Sequence, residues 1–314
     1  HAAARQLLAS LRHQGKALEL ALANDIWPCA GLPLDEVWTG ILQRDYDAQV
    51  RPLDFAADPE AARRTVNEHV ARVTRDRIEE LLAPGAFASA TRLVLTNAVW
   101  FRGRWDHPFE AVRTRPRDFR LPSDERVAVP TMRRRAMFAY AESDAVQVLR
   151  MPYLASSFAM DIVLPREDSS LADAQRALHA LDDGSLDTEL AERDVELWLP
   201  RFRIEAQMSL KSALQRAGLD SMFGGNADFS RIAGARGVLQ VDDVVQRTFV
   251  EVTEKGTEAA AATGILKVGA AIELEQVEPV QFVADRPFLF RVVDTRTGLS
   301  LFVGCVADPR SVER

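Results

Sequence analysis

The sequence has no apolar run approaching the ~18–20 residues that a membrane-spanning helix needs, so a helical membrane protein is not expected. Cysteine is nearly absent. Cys29 and Cys305 are too few for a disulfide framework, leaving either one bridge or two small buried thiols. Lysine is scarce as well: four of the 39 basic residues are Lys, against 46 acidic residues and a net charge of −7. An acidic chain of this kind is a poor non-specific ligand for nucleic acid. The five histidines, His1, His13, His69, His107 and His179, make no HxxxH or other zinc-ligand spacing. There is no GxSxG elbow and no phosphate-cradling glycine loop, so neither a hydrolase nor a nucleotide-dependent enzyme is indicated. No metal or cofactor is expected. The first residue is His1, and the chain opens in a helical pattern without a signal-peptide profile; its start is expected to lie upstream.

What is present is enough for a large core, since 47% of the 314 residues are hydrophobic. Helical periodicity is read at 2–12, 34–45, 58–82, 170–181 and 207–217. Asp58-Pro59-Glu60 is a strong helix start, because Asp caps and Pro fits the first turn. Gly218 is a natural stop. Residues 17–27 alternate like a half-buried strand, and 91–101, TRLVLTNAVWF, read as a strand buried on both faces. Further strands are expected at 126–131, 136–142, 145–151, 158–164, 194–206, 238–253, 280–293 and 299–306. Helices early and strands later predict an α+β fold. No linker or repeat interrupts it, and 1–314 is read as a single domain.

One segment fits neither a core strand nor a tight turn. Residues 254–281 read EKGTEAAAATGILKVGAAIELEQVEPVQ, and structureless stretches of this length are usually functional. Propensity alone would make Glu-Ala-Ala-Ala-Ala helical, although Gly256, Gly264 and Gly269 interrupt it. The alternative is a strand that can enter an existing sheet. Counting alternate positions, the inward set would be Thr257, Ala259, Ala261, Thr263 and Ile265, all small or apolar, while Glu258 points outward. A large or charged inward side chain would add steric and desolvation costs.

Several ordered segments carry a resemblance to one family. EKGTEAAAAT (Glu254, Lys255, Gly256, Thr257, Glu258, Ala259, Ala260, Ala261, Ala262, Thr263) resembles the proximal hinge of inhibitory serpins. LTNAVWFRGRWDHPF at 95–109, VELWLPRFRI at 195–204, LQRAGLDSMFGGNADFS at 214–230, FVADRPFLFRV at 282–292 and LSLFVGCVADP at 299–309 are similar to serpin segments in the same order. The chain is thus identified as a prokaryotic-like serpin. The resemblance implies one serpin domain: a large mixed main sheet, further sheets and helices, and a mobile reactive-centre loop at 254–281. The first three family helices and an early strand would lie outside the sequence.

By the same resemblance, Asn97 matches the shutter asparagine and Trp105 the breach tryptophan. Gln246 stands where many serpins carry a shutter histidine; it keeps hydrogen-bonding capacity but does not titrate. Lys267 is a second departure, because its parity is inward late in the segment, where either the sheet end reaches solvent or insertion stops. Family spacing places the reactive bond at Ala270–Ala271, which suits elastase-like or subtilisin-like proteases; cleavage after Lys267 would point to a trypsin-like one. The implied function is that of a suicide-substrate inhibitor of serine proteases, and of cysteine proteases as a further target class, acting as a monomer through a covalent complex, not as an enzyme. A non-inhibitory serpin that binds or chaperones is the alternative. An extracellular or periplasmic location is favoured over the cytosol.

Overall fold

The computed structural model describes residues 1–12, 17–236, 238–257 and 278–310. Its elements in chain order are α1 (Ala2–Arg12), β1 (Leu18–Pro28), α2 (Glu36–Tyr46), β2 (Gln49–Val50), α3 (Pro59–Val73), β3 (Leu93–Arg104), β4 (Arg115–Arg120) and β5 (Arg126–Glu142). There follow β6 (Val146–Pro152), β7 (Phe158–Pro165), α4 (Leu171–Asp182), β8 (Ala191–Pro200), β9 (Phe202–Ser209), α5 (Lys211–Leu214) and α6 (Ser230–Ala233). The last are β10 (Asp243–Thr253), β11 (Gly256–Thr257), β12 (Val280–Val283), β13 (Phe288–Asp294) and β14 (Leu299–Val306). This is an α+β chain, and none of the described helices is long and apolar enough to cross a membrane.

Local chemistry sets the helix starts. Asp58 accepts from the Ala61 amide at 2.9 Å, Asp35 accepts from Trp38 at 2.7 Å, and Ser170 with Asp173 forms a capping box. The helix expected over 58–82 ends sooner, at Val73. There the Thr74 hydroxyl donates to the Val70 carbonyl at 2.8 Å, and Arg75 and Asp76 take positive φ, which a helix cannot continue through. The two strands expected at 126–131 and 136–142 are one long strand, β5. The one expected over 194–206 breaks at Arg201 into β8 and β9, because Pro200 cannot donate to a ladder. The stretch expected as helix from 207 begins as β9 and turns helical only at Lys211; Gly218, at φ +91°, breaks it. Ala284–Pro287 divides 280–293 into β12 and β13. Strand β4, RPRDFR, buries only Phe119 and shows no apolar alternation to read. Cys305 is exposed and Cys29 half-buried, and both are free thiols.

Six strands form one sheet in the order β2-β1-β3-β11-β10-β9, and β3 also pairs directly with β10. A second sheet runs β12-β8-β5-β6-β7-β13-β14, with β4 added to β5. The described residues gather into two compact units, one of residues 1–12, 20–101, 205–236 and 238–250, the other of 17–19, 102–204, 251–257 and 278–310.

In the first unit, α3 buries Ala62, Val66 and Val70 in a cluster with Trp27, Ala98, Trp100, Val245 and Phe249. Leu93 belongs to a different cluster, with Ile26, Phe223, Leu239 and Val241. Strand β3 is therefore buried on both faces, as its near-continuous apolar run predicts.

A polar contact ties α3 to β1. His69 Nε2 lies 3.0 Å from Asp25 Oδ2, and Arg51 Nε donates to the same carboxylate at 3.4 Å. The other ring nitrogen, His69 Nδ1, is buried without a partner among the described residues. A protonated ring would bury an unanswered N–H there, and burial accordingly pushes the His69 pKa below its usual value despite the opposing pull of Asp25.

In the second unit, α4 packs Ala174, Leu178 and Leu181 on Val146, Val148 and Val163. Fully buried Asp161 accepts from Arg150 at 2.6 Å and from Arg291 at 2.8 Å, and Arg291 also donates to Asp182 at 2.7 Å. Each of these buried charges has a partner of opposite sign, which is the condition for tolerating it.

The depressed His69 pKa yields a pH prediction. The unfolded chain takes up a proton near 6.5 that the native state resists, so stability is full above that pH and falls as pH drops below it. Urea unfolding at pH 7.5 and 5.5 should show the loss for the parent protein and a smaller one for His69→Gln.

Candidate functional site

Strand β10 runs out to Thr253, the chain reverses through Glu254 and Lys255, and Gly256–Thr257 return as β11. This two-residue strand is antiparallel to both neighbours: Thr257 faces Val252 on β10 and Gly103 on β3, and Gly256 faces Thr253 and Arg104. Gly256 has φ +152°, and a Cβ there would stand 2.0 Å from the Gly103 carbonyl oxygen. Only glycine lets the two backbones come this close.

Thr257 is fully buried, and its hydroxyl shares a 2.6 Å hydrogen bond with the Tyr153 hydroxyl. Burial drives the Tyr153 phenol well above its ordinary pKa, so it stays neutral. Trp105 stacks on Tyr153 with ring centroids 4.6 Å apart and planes at 16°. Its indole N–H donates to the Thr253 carbonyl at 3.0 Å, and its amide donates to the Lys255 carbonyl at 3.1 Å. The Phe109 amide holds the Glu254 carbonyl at 2.8 Å.

The Glu254 side chain anchors the reversal. It accepts from Arg201 Nε at 2.8 Å and from the Thr114 hydroxyl at 2.5 Å. Burial alone would raise its pKa, but these two donors hold the carboxyl below the usual range. It is therefore ionised at neutral pH and makes charge-assisted bonds, stronger than neutral ones.

Lower on the same strands, β3 and β10 pair directly in parallel register from Val94↔Asp243 to Trp100↔Phe249. Asn97 and Gln246 are ladder partners there. Gln246 Nε2 donates to Asn97 Oδ1 at 2.8 Å, and Asn97 Nδ2 donates to Asn24 Oδ1 at 2.6 Å.

The structure thus brings Trp105 to the expected hinge residues Glu254, Lys255, Gly256 and Thr257, and Asn97 to Gln246. The remaining expected hinge positions, Glu258, Ala259, Ala260, Ala261, Ala262 and Thr263, lie outside the described residues, as do Lys267 and the expected reactive pair Ala270 and Ala271. Sequence reading did not single out Tyr153, Arg201, Thr114 or Asn24. None of them sits in a pattern that announces a role; their partners come from elsewhere in the chain. Among the described residues, no cluster of three His, Cys, Asp or Glu side chains is placed to hold a metal ion. What the arrangement offers is a strand that has begun, with two ladder residues in place and neighbours that share one register.

Comparison with known proteins gives a consistent result. The family profile described as Serpin (serine protease inhibitor) matches residues 1–309. A serpin-like protein of Methanosarcina acetivorans is 34% identical over 307 residues, 97% of this chain and 71% of that protein. Antithrombin-III of Mus musculus is 34% identical over 304 residues, 95% of this chain and 64% of that protein. Among solved structures, Serpin48 of the insect Tenebrio molitor superposes with a TM-score of 0.86 at 31% identity, covering 98% of this chain and 80% of that one.

The close approach at Gly256 is testable. Gly256→Ala adds a methyl group against the Gly103 backbone and strains φ, and should cost about 2–4 kcal/mol in urea unfolding.

Proposed function

The chain belongs to the serpin family, and on that premise we propose that it is a suicide-substrate inhibitor of serine proteases whose bait is the segment 254–281. One observation carries the reading. Gly256–Thr257 already form a two-residue ladder between β3 and β10, while lower down those two strands pair directly with each other and no strand lies between them.

The target takes the loop as substrate. Its own serine Oγ attacks the carbonyl carbon of the residue before the cut, the amine of the next residue leaves, and an ester links protease to inhibitor. The cut is assigned to Ala270–Ala271, and the small residue at 270 suits elastase-like or subtilisin-like enzymes, with cysteine proteases as a further target class. Cleavage releases the constraint on the loop, which then extends β11 downward. Insertion of a cleaved loop as a new strand is established for serpins. Each ladder hydrogen bond gained contributes about 1 kcal/mol net, and burial of the inserted side chains adds to it. The protease travels with the strand, and its acyl-enzyme is distorted before water can release it.

The inhibitor reading is supported by side-chain size at the hinge. Thr257 fills a fully buried position against Tyr153, and Ala259, Ala261 and Thr263 continue the same parity with small residues. A protein that never inserts its loop has no need of that series.

Two measurements test the proposal. Incubation with an elastase-type or subtilisin-type protease should give a denaturant-resistant covalent band on a gel. A cut loop beside a fully active protease would instead mean a non-inhibitory binding protein. Thr257→Arg places a cation where no solvent reaches and should raise the number of inhibitor molecules consumed per protease at least about tenfold. Unchanged trapping by that variant would exclude insertion.

A further inference from the structure

Strand β4 carries three arginines and one aspartate in six residues, on a chain whose net charge is −7. Two of these arginines, Arg115 and Arg117, are exposed and share one face of the strand, while Asp118 occupies an alternate position. The Arg117 guanidinium lies 4.1 Å from the centre of the Trp198 ring, and that of Arg133 lies 4.8 Å from it. Arg133 is answered by Glu196, to which its Nε donates at 2.6 Å. Among the described residues no carboxylate answers Arg117, and Arg115 donates only to the Thr114 carbonyl, at 2.9 Å.

From this placement we infer that Arg115 and Arg117 form a second docking surface for the target protease, one that receives an acidic side chain beside its substrate cleft. The inference rests on the inhibitor reading above and adds what selects the target beyond the residue at the cut. Position supports it. Thr114, next to Arg115, donates its hydroxyl to Glu254 at 2.5 Å, so the start of β4 is tied to the reversal that leads into Gly256–Thr257. Trp198 is the ladder partner of Val283 on β12, the strand that follows the bait segment in the chain. The arginines thus sit among the elements that hold both ends of the bait, and an enzyme gripping that segment is brought beside them.

The chemistry favours a carboxylate. A guanidinium presents a planar fork of N–H donors that matches a carboxylate in pairs, and it is more weakly hydrated than an ammonium group. Lying against the indole leaves those edge donors free for a ligand. It also holds the side chain in place before the ligand arrives, which lowers the cost of ordering it. The acids nearby do not compete, since Glu196 is held by Arg133 and Asp194 by Arg135, each at 2.6 Å. With a net charge of −7, the chain as a whole repels an acidic protease. A local basic surface beside the bait offsets this and turns the encounter toward the productive orientation. Charges at the rim of an interface act chiefly on the rate of association, and salt screens them.

The test measures second-order inhibition rates of the whole protein with two subtilisin-type proteases that cut after small residues, one with an acidic and one with a basic surface. Arg117→Glu and Arg115→Glu should each slow inhibition of the acidic protease about tenfold at low ionic strength, and high salt should shrink that loss. Trp198→Leu, which removes the platform, should slow it less. The number of inhibitor molecules consumed per protease and the urea midpoint should stay those of the parent, which separates docking from loop chemistry and from folding. The basic protease should be inhibited no more slowly by the glutamate variants than by the parent. Equal rates for parent and glutamate variants with the acidic protease would overturn the inference and leave the inhibitor reading standing. A loss seen only when a sulfated polysaccharide is added would assign the arginines to a polyanion and overturn it too. If the parent forms no covalent complex with either protease, both readings fail.

Discussion

The direct parallel pairing of β3 with β10 is the contact on which the rest of the structure depends. It closes the sheet directly below β11, and on the proposed reading it is the ladder that an entering strand replaces with two. A parallel pair is somewhat less stable per residue than an antiparallel one. Exchanging one parallel ladder for two antiparallel ladders is therefore downhill, provided the entering side chains fit. On the proposed reading the native state is closed but not at its lowest free energy, and the two ladder residues of β11 mark where the exchange begins.

That arrangement places three demands on residues 254–257, each set by partners far away in sequence. Gly256 must be glycine because Gly103 is in the way of any side chain. Thr257 must be small and able to hydrogen-bond because Tyr153 closes over it. Glu254 must be ionised because Arg201 and Thr114 both donate to it. None of these demands comes from the loop itself; each is set by the strands and turns the loop would join. The family match over residues 1–309 includes both residues 254–257 and the strands they join.

Much of the fold was legible in the sequence for plain reasons. The cap at Asp58 marks a helix start, and the apolar run at 91–101 marks a strand buried on both faces. Errors fell where a polar side chain redirects the backbone, as at Thr74, or where proline interrupts a run, as at Pro200. Strand β4 was missed because its alternation is carried by arginines, not apolar residues. At the site, Glu254, Gly256, Thr257, Trp105, Asn97 and Gln246 could be picked out by resemblance. Tyr153, Thr114, Arg201 and Asn24 could not, because a hydrogen bond between residues 53 to 140 positions apart leaves no local pattern. Lys267 is visible in the sequence as an anomaly in parity.

The stacking of Trp105 on Tyr153 has an optical consequence. Indole emission depends on the partner of its N–H and on the ring it lies against. Here the partner is the carbonyl of Thr253, at the end of β10, and the ring is the phenol that also holds Thr257. Any change in how β11 sits between its neighbours alters the surroundings of that indole. Trp105 is therefore an intrinsic fluorophore placed against β11, so a change at Gly256–Thr257 can be followed by light without attaching a label.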